Sequence, residues 1–219
     1  MTLALIDKQD GFEIIRDKIA AILVAEIAQQ QILAAAAGKD ATLWKVRIYS
    51  ERSNAWEQWL DDQIDVSPIC NIWFDSAAYS ESSGNVVSRQ TSTSLFNLDC
   101  YGYGIAKSAV IGHTLGDQEA AATTHRAVRL IRNILMAAEN TYLGLRGTVG
   151  QRWLQSITVY QPEFQGQAIQ QIVGARLALR VSHNELSPQV AAETLEYISV
   201  TVKRSPSGEV ILTAEYDFS

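Results

Sequence analysis

The sequence predicts an α+β fold, in which a mainly antiparallel sheet is flanked by an N-terminal helix and a central helix. Apolar residues recur at helical spacing in residues 11–37 and 116–139, and they alternate with polar residues in most segments elsewhere. Helices and strands do not alternate regularly, so a parallel α/β fold is disfavoured. A long polar stretch between two apolar strand patterns, residues 75–95, adds an extended β-hairpin to this class.

The N-terminal helix is expected to begin at Gly11 and to end before Gly38, because glycine readily adopts the left-handed conformation that follows many helices. Glu26 and the glutamines at 29–31 interrupt its richest apolar stretch, residues 19–37, so no apolar run is expected to approach the roughly 20 residues that a membrane-spanning helix needs. We therefore expect no membrane-spanning segment and no membrane partner. The first residues lack the basic start of a secretory signal, which predicts synthesis in the cytoplasm.

After this helix, the alternation over residues 44–49 predicts a strand, and residues 54–60 predict a short helix. The extended hairpin follows, with a protruding arm around residues 76–94. Its apolar side chains share a face only if even positions of one strand oppose even positions of the other. One such pairing places Cys70 opposite Cys100. A register shifted by two residues would also pair even with even positions, so this alternative remains.

The central helix is predicted from Gly116 to about Glu139, with one apolar face suited to packing on a sheet. Strands are predicted near residues 153–160 and 173–181, where apolar and polar residues alternate. We expect one domain over residues 1–219. Two further strands pair if residues 205–208 form a turn, which brings Ile198, Val200 and Val202 to the same side as Val210, Leu212, Ala214 and Tyr216.

The composition of the 219 residues is that of an ordered protein, with 47% hydrophobic residues and only 4 prolines. The net charge of −6 argues against tight general binding to nucleic acid, which depends on Lys and Arg neutralising phosphates. Cys70 and Cys100 lack the paired spacing of a zinc site and are predicted to be small core residues.

The motif search finds no catalytic or nucleotide-binding signature. The GxxxxGK[ST] loop is absent, and Gly102 and Gly104 lack the third glycine of a dinucleotide fingerprint. His113, His125 and His183 are widely separated and form no metal-ligand spacing. The serines of the polar stretch form no GxSxG motif. We therefore expect no catalytic residue, no metal and no cofactor, and a protein that is not an enzyme.

The central helix carries a stripe of arginines on a different face from its apolar residues. The stripe consists of Arg126, Arg129 and Arg132. A spacing of three most often marks a solvated helix face, and the alternative is binding to a phosphate or to an acidic neighbour. In a ring of subunits, the stripe becomes a candidate subunit contact.

Four segments carry a resemblance: residues 69–75 (ICNIWFD), 97–102 (NLDCYG), 196–203 (EYISVTVK) and 208–218 (GEVILTAEYDF). In the predicted order of elements, they resemble the tail terminator, or tail completion, proteins of tailed bacteriophages, especially those with contractile tails. The resemblance spans most of the chain, and none of the segments is a catalytic signature.

This resemblance implies a structural virion protein of the tail neck, made in the host cytoplasm. It implies a homohexameric ring that caps the tail tube, ends tail polymerisation and forms the interface with the head connector. Genomic DNA would pass through the ring without specific binding, which the acidic charge favours because a negative lumen repels phosphate. The expected partners are further copies of the chain, the tail tube protein, the head connector or stopper protein, and the sheath protein.

Within this interpretation, the hairpin arm orders on assembly and attaches the subunit to a neighbour or to the tube. Two alternatives remain: another neck or tail component, such as a connector stopper or a tube protein, and a small-ligand-binding α+β enzyme. The candidate contact residues are Tyr79, Ser80, Glu81, Asn85, Arg89, Arg126, Arg129 and Arg132.

Overall fold

The α+β class is confirmed by a computed structural model, in which two long helices accompany a five-stranded, mostly antiparallel sheet. The chain forms two compact units, residues 7–188 and residues 189–219 together with 1–6. The expectation of one domain over the whole chain stays a prediction. The structure describes residues 7–57, 59, 65–81, 90–104, 107–108, 113–114, 116–162, 171–185, 197–203 and 210–217.

The first unit contains both long helices and seven of the strands that the structure describes. Short 3-10 turns lie at residues 41–44, 55–57 and 138–140. In chain order the elements are α1 (Gly11–Ala36), β1 (Arg47–Ser50), β2 (Ile69–Tyr79), β3 (Gln90–Gly104), β4 (Lys107–Ser108), β5 (His113–Thr114), α2 (Gly116–Met136), β6 (Val149–Tyr160) and β7 (Gln171–Glu185).

The large sheet has the strand order β1-β2-β3-β7-β6, so β1 and β6 are its two edges. Only β1 and β2 are parallel, and the other neighbours are antiparallel. β4 and β5 pair with each other. The long β3 and β7 therefore form the centre of the sheet, on which α2 packs.

The start and end of α1 are confirmed. Glu13 accepts a hydrogen bond from the backbone N–H of Asp10, as in a capping box. At the other end Gly38 has φ +68°, and the N–H of Lys39 bonds to the carbonyl of Ala34 at 2.9 Å. This is the glycine-terminated helix end that the sequence predicts.

The expectation that no apolar segment reaches membrane length is wrong. By length and composition, α1 is long and apolar enough to cross a membrane. Glu26 and the glutamines interrupt the apolar run of α1, but its mean hydropathy remains high enough for a membrane-spanning helix. One face of α1, with Ile15, Ile19 and Leu23, is fully buried in the core of the first unit. The expectation of no membrane partner stays a prediction.

The core lies between the helices and one face of the sheet. The even positions of β2 as far as Phe74, and those of β3, point into it, as predicted from their alternation. Cys70 and Cys100 are both buried there as free cysteines. Fully buried members include Ile72, Phe96, Leu98, Ile131, Leu177 and Leu179.

Two glycines let α2 approach the backbone of β3. A Cβ at Gly102 would collide with Thr124 and with the backbone of Ala120, and one at Gly104 would collide with the backbone of Gly116. The hydroxyl of Thr124, buried at this contact, lies 2.9 Å from the carbonyl oxygen of Val173 on β7. The glycines that fail as a nucleotide-binding motif thus serve close packing between helix and sheet.

The predicted register of the hairpin is confirmed in its inner half. Cys70 pairs with Cys100, which excludes the slip by two residues. A bulge after Phe74 then shifts the pairing by one, so that Tyr79 faces Ser92. Parity alone could not show this bulge.

Several element ends differ from the sequence prediction. Trp44 belongs to a 3-10 turn, and the regular strand begins only at Arg47. Of the short helix expected over residues 54–60, residues 55–57 form a 3-10 turn and Trp59 is helical, whereas residues 58 and 60 lie outside the described residues. β6 begins at Val149, four residues before the predicted start at Trp153. Helix and strand ends are the least certain part of a reading from periodicity.

The second unit contains an antiparallel pair, β8 (Tyr197–Lys203) and β9 (Val210–Asp217). Ile198 pairs with Tyr216, Val200 with Ala214, and Val202 with Leu212. This is the pairing that the sequence predicts. The expected turn at 205–208 lies outside the described residues.

Candidate functional site

The edge strand β6 exposes apolar side chains on the core face of the sheet. Ile157 pairs with Leu177, and Val159 pairs with Ala175, so each pair shares one face. Leu177 and Ala175 are fully buried, whereas Ile157 is 45% and Val159 is 53% exposed. The sheet is therefore one strand wider than the helical layer that covers it.

The outer edge of this strand is suited to strand addition. Among the described strands, β6 pairs only with β7, which leaves its other side without a neighbour. Beyond the bulge at residues 154–156, residues 156–160 (SITVY) contain no charge and no proline. Charged residues and prolines commonly protect an exposed strand edge from pairing with another chain. Because residues 156–160 contain neither, this edge of β6 is open to another strand.

The first half of β6 is fixed to the end of α2 by Arg152. Its guanidinium donates to the carbonyl oxygens of Leu135 and Ala137, both at 2.6 Å, and to that of Thr141 at 3.4 Å. The carbonyl of Leu135 is one of those that the end of a helix leaves without an intrahelical partner. Burial lowers the pKa of Arg152. The edge strand is thus anchored at one end, and its second half, residues 156–160, carries the uncovered face.

The predicted arm is only partly a free projection. Tyr79, Ser80 and Glu81 are exposed at the end of β2. The opposite strand pairs with β7 as well, up to Gln90 against Glu185, so residues 90–94 lie inside the sheet. Asn85 and Arg89, the other two predicted contact residues of the arm, lie outside the described residues.

Beside the start of α1, Ser94, His183 and Glu185 form a row that resembles a catalytic triad. Ser94 Oγ lies 2.9 Å from His183 Nε2, but His183 Nδ1 is 3.8 Å from Glu185, too far for a hydrogen bond. Glu185 instead accepts the N–H of Gly11. Ser94 and His183 are buried, and burial lowers the pKa of His183 although Glu185 opposes this. The row anchors α1 to the sheet and offers no access to a substrate.

The opposite face of the sheet carries a polar cluster. Arg176 donates to both carboxylate oxygens of Asp99, at 2.7 and 2.9 Å, and lies over the ring of Trp73. Trp73 Nε1 donates to the same carboxylate at 2.9 Å. Beside it, the hydroxyl of Tyr160 bonds to that of Tyr101, and burial raises the pKa of both tyrosines. These groups satisfy one another, so the cluster is a preformed surface.

A cleft of about 690 Å³ lies between α1 and α2. It brings together Arg126 and Arg129 of the predicted stripe and excludes Arg132, whose side chain bonds to Asn133. The remaining lining residues are Glu26 and Gln30 of α1, Leu43 and Trp44 of the first 3-10 turn, Leu130, Asn133 and Ile134 of α2, and Ala137, Glu139 and Asn140 beyond it.

Sequence reasoning predicted β6 as a strand but not as an exposed edge, and it missed the polar cluster and the cleft that forms around the predicted Arg126 and Arg129. The signal for the cluster was present, because Asp99 and Arg176 place opposite charges at the polar positions of two apolar alternations. The cleft had no local signal, since Trp44 and Arg126 come together only through tertiary packing. Within the described ranges, no three or more His, Cys, Asp or Glu side chains are grouped as a metal ion requires.

Comparison with known proteins adds no identification. No protein-family model matches the sequence, and no curated protein matches it. The functional interpretation therefore depends on the surfaces described above and on the resemblance carried by the sequence segments.

Proposed function

We propose that this protein is a ring-forming structural subunit of a phage tail neck, a tail terminator. The ring caps the tail tube, ends tail polymerisation and contacts the head connector or stopper protein. DNA passes through its centre. The resemblance of the sequence segments supplies the family, and the observation that carries assembly is the exposed edge strand β6.

The β6 edge supports assembly for two physical reasons. An open strand edge gains main-chain hydrogen bonds when another chain adds a strand to it. Burying the exposed side chains of Ile157 and Val159 contributes roughly 25 cal/mol for each Å² of apolar surface removed from water. A contact between this edge and a different surface of the next subunit closes into a ring when the rotation permits.

Negative-stain imaging combined with native mass measurement tests the assembly. The purified protein is expected to give closed rings with an open centre and one discrete mass. The double substitution Ile157→Lys and Val159→Lys should convert rings to monomers, because it places two charges in the contact. Val24→Lys is the matched control, since Val24 is equally exposed, at 57%, but lies on α1. Wild-type monomers at high concentration would contradict a preformed ring.

The capping activity needs a second measurement. Added to the elongating tail tube protein of the same phage, the rings should stop tube growth, and the double lysine variant should not. Long tubes formed by this chain alone would favour the tube-protein alternative. Rings that leave elongation unchanged would favour another neck component, such as a stopper.

A further inference from the structure

The cleft between α1 and α2 contains two arginines, and among the described residues Asp40 is a weak electrostatic neighbour of one of them, Arg126. Arg126 and Arg129 lie one helical turn apart on α2, so their side chains lie on the same side of the helix. Neither donates a hydrogen bond or forms an ion pair within the parts of the chain that the structure describes. The hydrogen bonds from Thr42 lower the pKa of the exposed Asp40, and the charge of Arg126 adds a smaller effect.

The same cleft has an apolar wall. Leu43 is 42% exposed at its rim, and Trp44, Leu130 and Ile134 line it further in. Leu33, also exposed, lies about two turns from Glu26 on the same side of α1. Leaving Leu43 in water is unfavourable, and an apolar side chain packed against it would remove that cost.

The geometry points to an acidic amphipathic segment of a partner protein as the occupant of this cleft. Carboxylates one helical turn apart match the spacing of Arg126 and Arg129, and charge-assisted hydrogen bonds to arginine are the strong kind. Apolar residues of the same segment pack on Leu43 and Trp44, as in the binding of a helix in a groove.

Two carboxylates in the cleft disfavour a polyanion. Glu26 and Glu139 line the same space as the arginines and would repel the phosphates of a nucleic acid. A peptide can place its acidic side chains against Arg126 and Arg129 alone. This surface is separate from the β6 edge, so the cleft and the proposed ring can fail independently.

A displayed library of random peptides tests the occupant. The enriched sequences are expected to carry two acidic residues about one helical turn apart, together with large apolar residues. The affinity of an enriched peptide, measured by fluorescence anisotropy, should fall about tenfold or more in the double variant Arg126→Glu and Arg129→Glu. The matched control is Arg132→Glu on the same helix, which should change the affinity less than about twofold. Circular dichroism checks that both variants are folded.

The apolar wall has its own variant. Leu43→Ser should weaken the same peptide by about fivefold, because the peptide loses an apolar contact at the rim. Val24→Ser, at another exposed apolar position of α1, should leave the affinity unchanged.

Four results would overturn the inference. The first two are enrichment of peptides without acidic residues and an equal loss of affinity in the Arg132→Glu control. The third is binding of inorganic phosphate or duplex DNA that is as tight as binding of the peptide. The fourth is loss of the protein's own oligomer in the double variant when no peptide is enriched. The last result would make the cleft a contact between copies of this chain.

Discussion

The neighbouring strands β7 and β6 differ in how deeply their apolar side chains are buried. Their paired residues present similar apolar side chains to the same face of the sheet, yet Leu177 is fully buried and Ile157 is 45% exposed. Packing of α2 on β3 and β7 accounts for the difference. Apolar character alone therefore does not decide burial. The width of the helical layer decides which strand belongs to the core and which is left for a partner.

Truncation of Leu177 gives the largest expected effect. Leu177→Ala should lower the free energy of unfolding by about 3 kcal/mol, because it removes buried methyl groups and leaves a cavity between sheet and helices. Chemical denaturation of the purified variant measures this value. A loss below about 1 kcal/mol would mean that the core face of β7 is less tightly packed than its burial indicates.

The two faces of β7 sharpen the comparison, since its other side carries Arg176. Asp99→Ala should cost about 2 kcal/mol, because it leaves Trp73 Nε1 and Arg176 without their acceptor. The double variant with Arg176→Ala isolates the pair. Its coupling energy should be about 1 kcal/mol, since the guanidinium side chain is 41% exposed and water screens the pair. A coupling near zero would show that the pair does not stabilise the fold.

Much of this comparison could be predicted from the sequence. The alternation of Leu177 with Arg176 predicts β7 and its two faces. The parity of Cys70 and Cys100 limits the inner hairpin to registers that pair even with even positions, one of which is the observed register. These are local patterns with a period of two. The covered and uncovered strands could not be separated, because α2 and Ile157 are related only by tertiary packing. The bulge after Phe74 was also hidden, since a single extra residue leaves the apolar pattern on either side unchanged.

His183, near the C-terminal end of β7, is expected to have a smaller effect on stability, and this effect depends on pH. Burial holds the pKa of His183 below its ordinary value of 6.5, so the folded chain keeps this side chain neutral where the unfolded chain protonates it. Stability is therefore highest well above pH 6.5 and decreases as the pH falls through and below that value, because the unfolded chain then binds a proton that the folded chain does not. His183→Gln should abolish this slope in denaturation curves between pH 7 and pH 5.

The matched control for this pH effect is His125→Gln, since His125 is exposed on α2. It should keep the slope of the wild-type protein. If His183→Gln keeps the slope as well, another group is responsible, and the contact between the start of α1 and the end of β7 does not sense pH.

The smallest expected effect belongs to the residue opposite Leu177. Ile157→Ala should change the free energy of unfolding of the isolated subunit by less than about 0.5 kcal/mol, because no cavity forms where the side chain already meets water. Measured on assembled rings, the same substitution should instead shift the midpoint of dissociation, since the contact then buries the side chain. Equal losses for Ile157→Ala in the isolated subunit and Leu177→Ala would mean that something within the subunit covers β6. The edge would then be core, and the argument for assembly through it would fail.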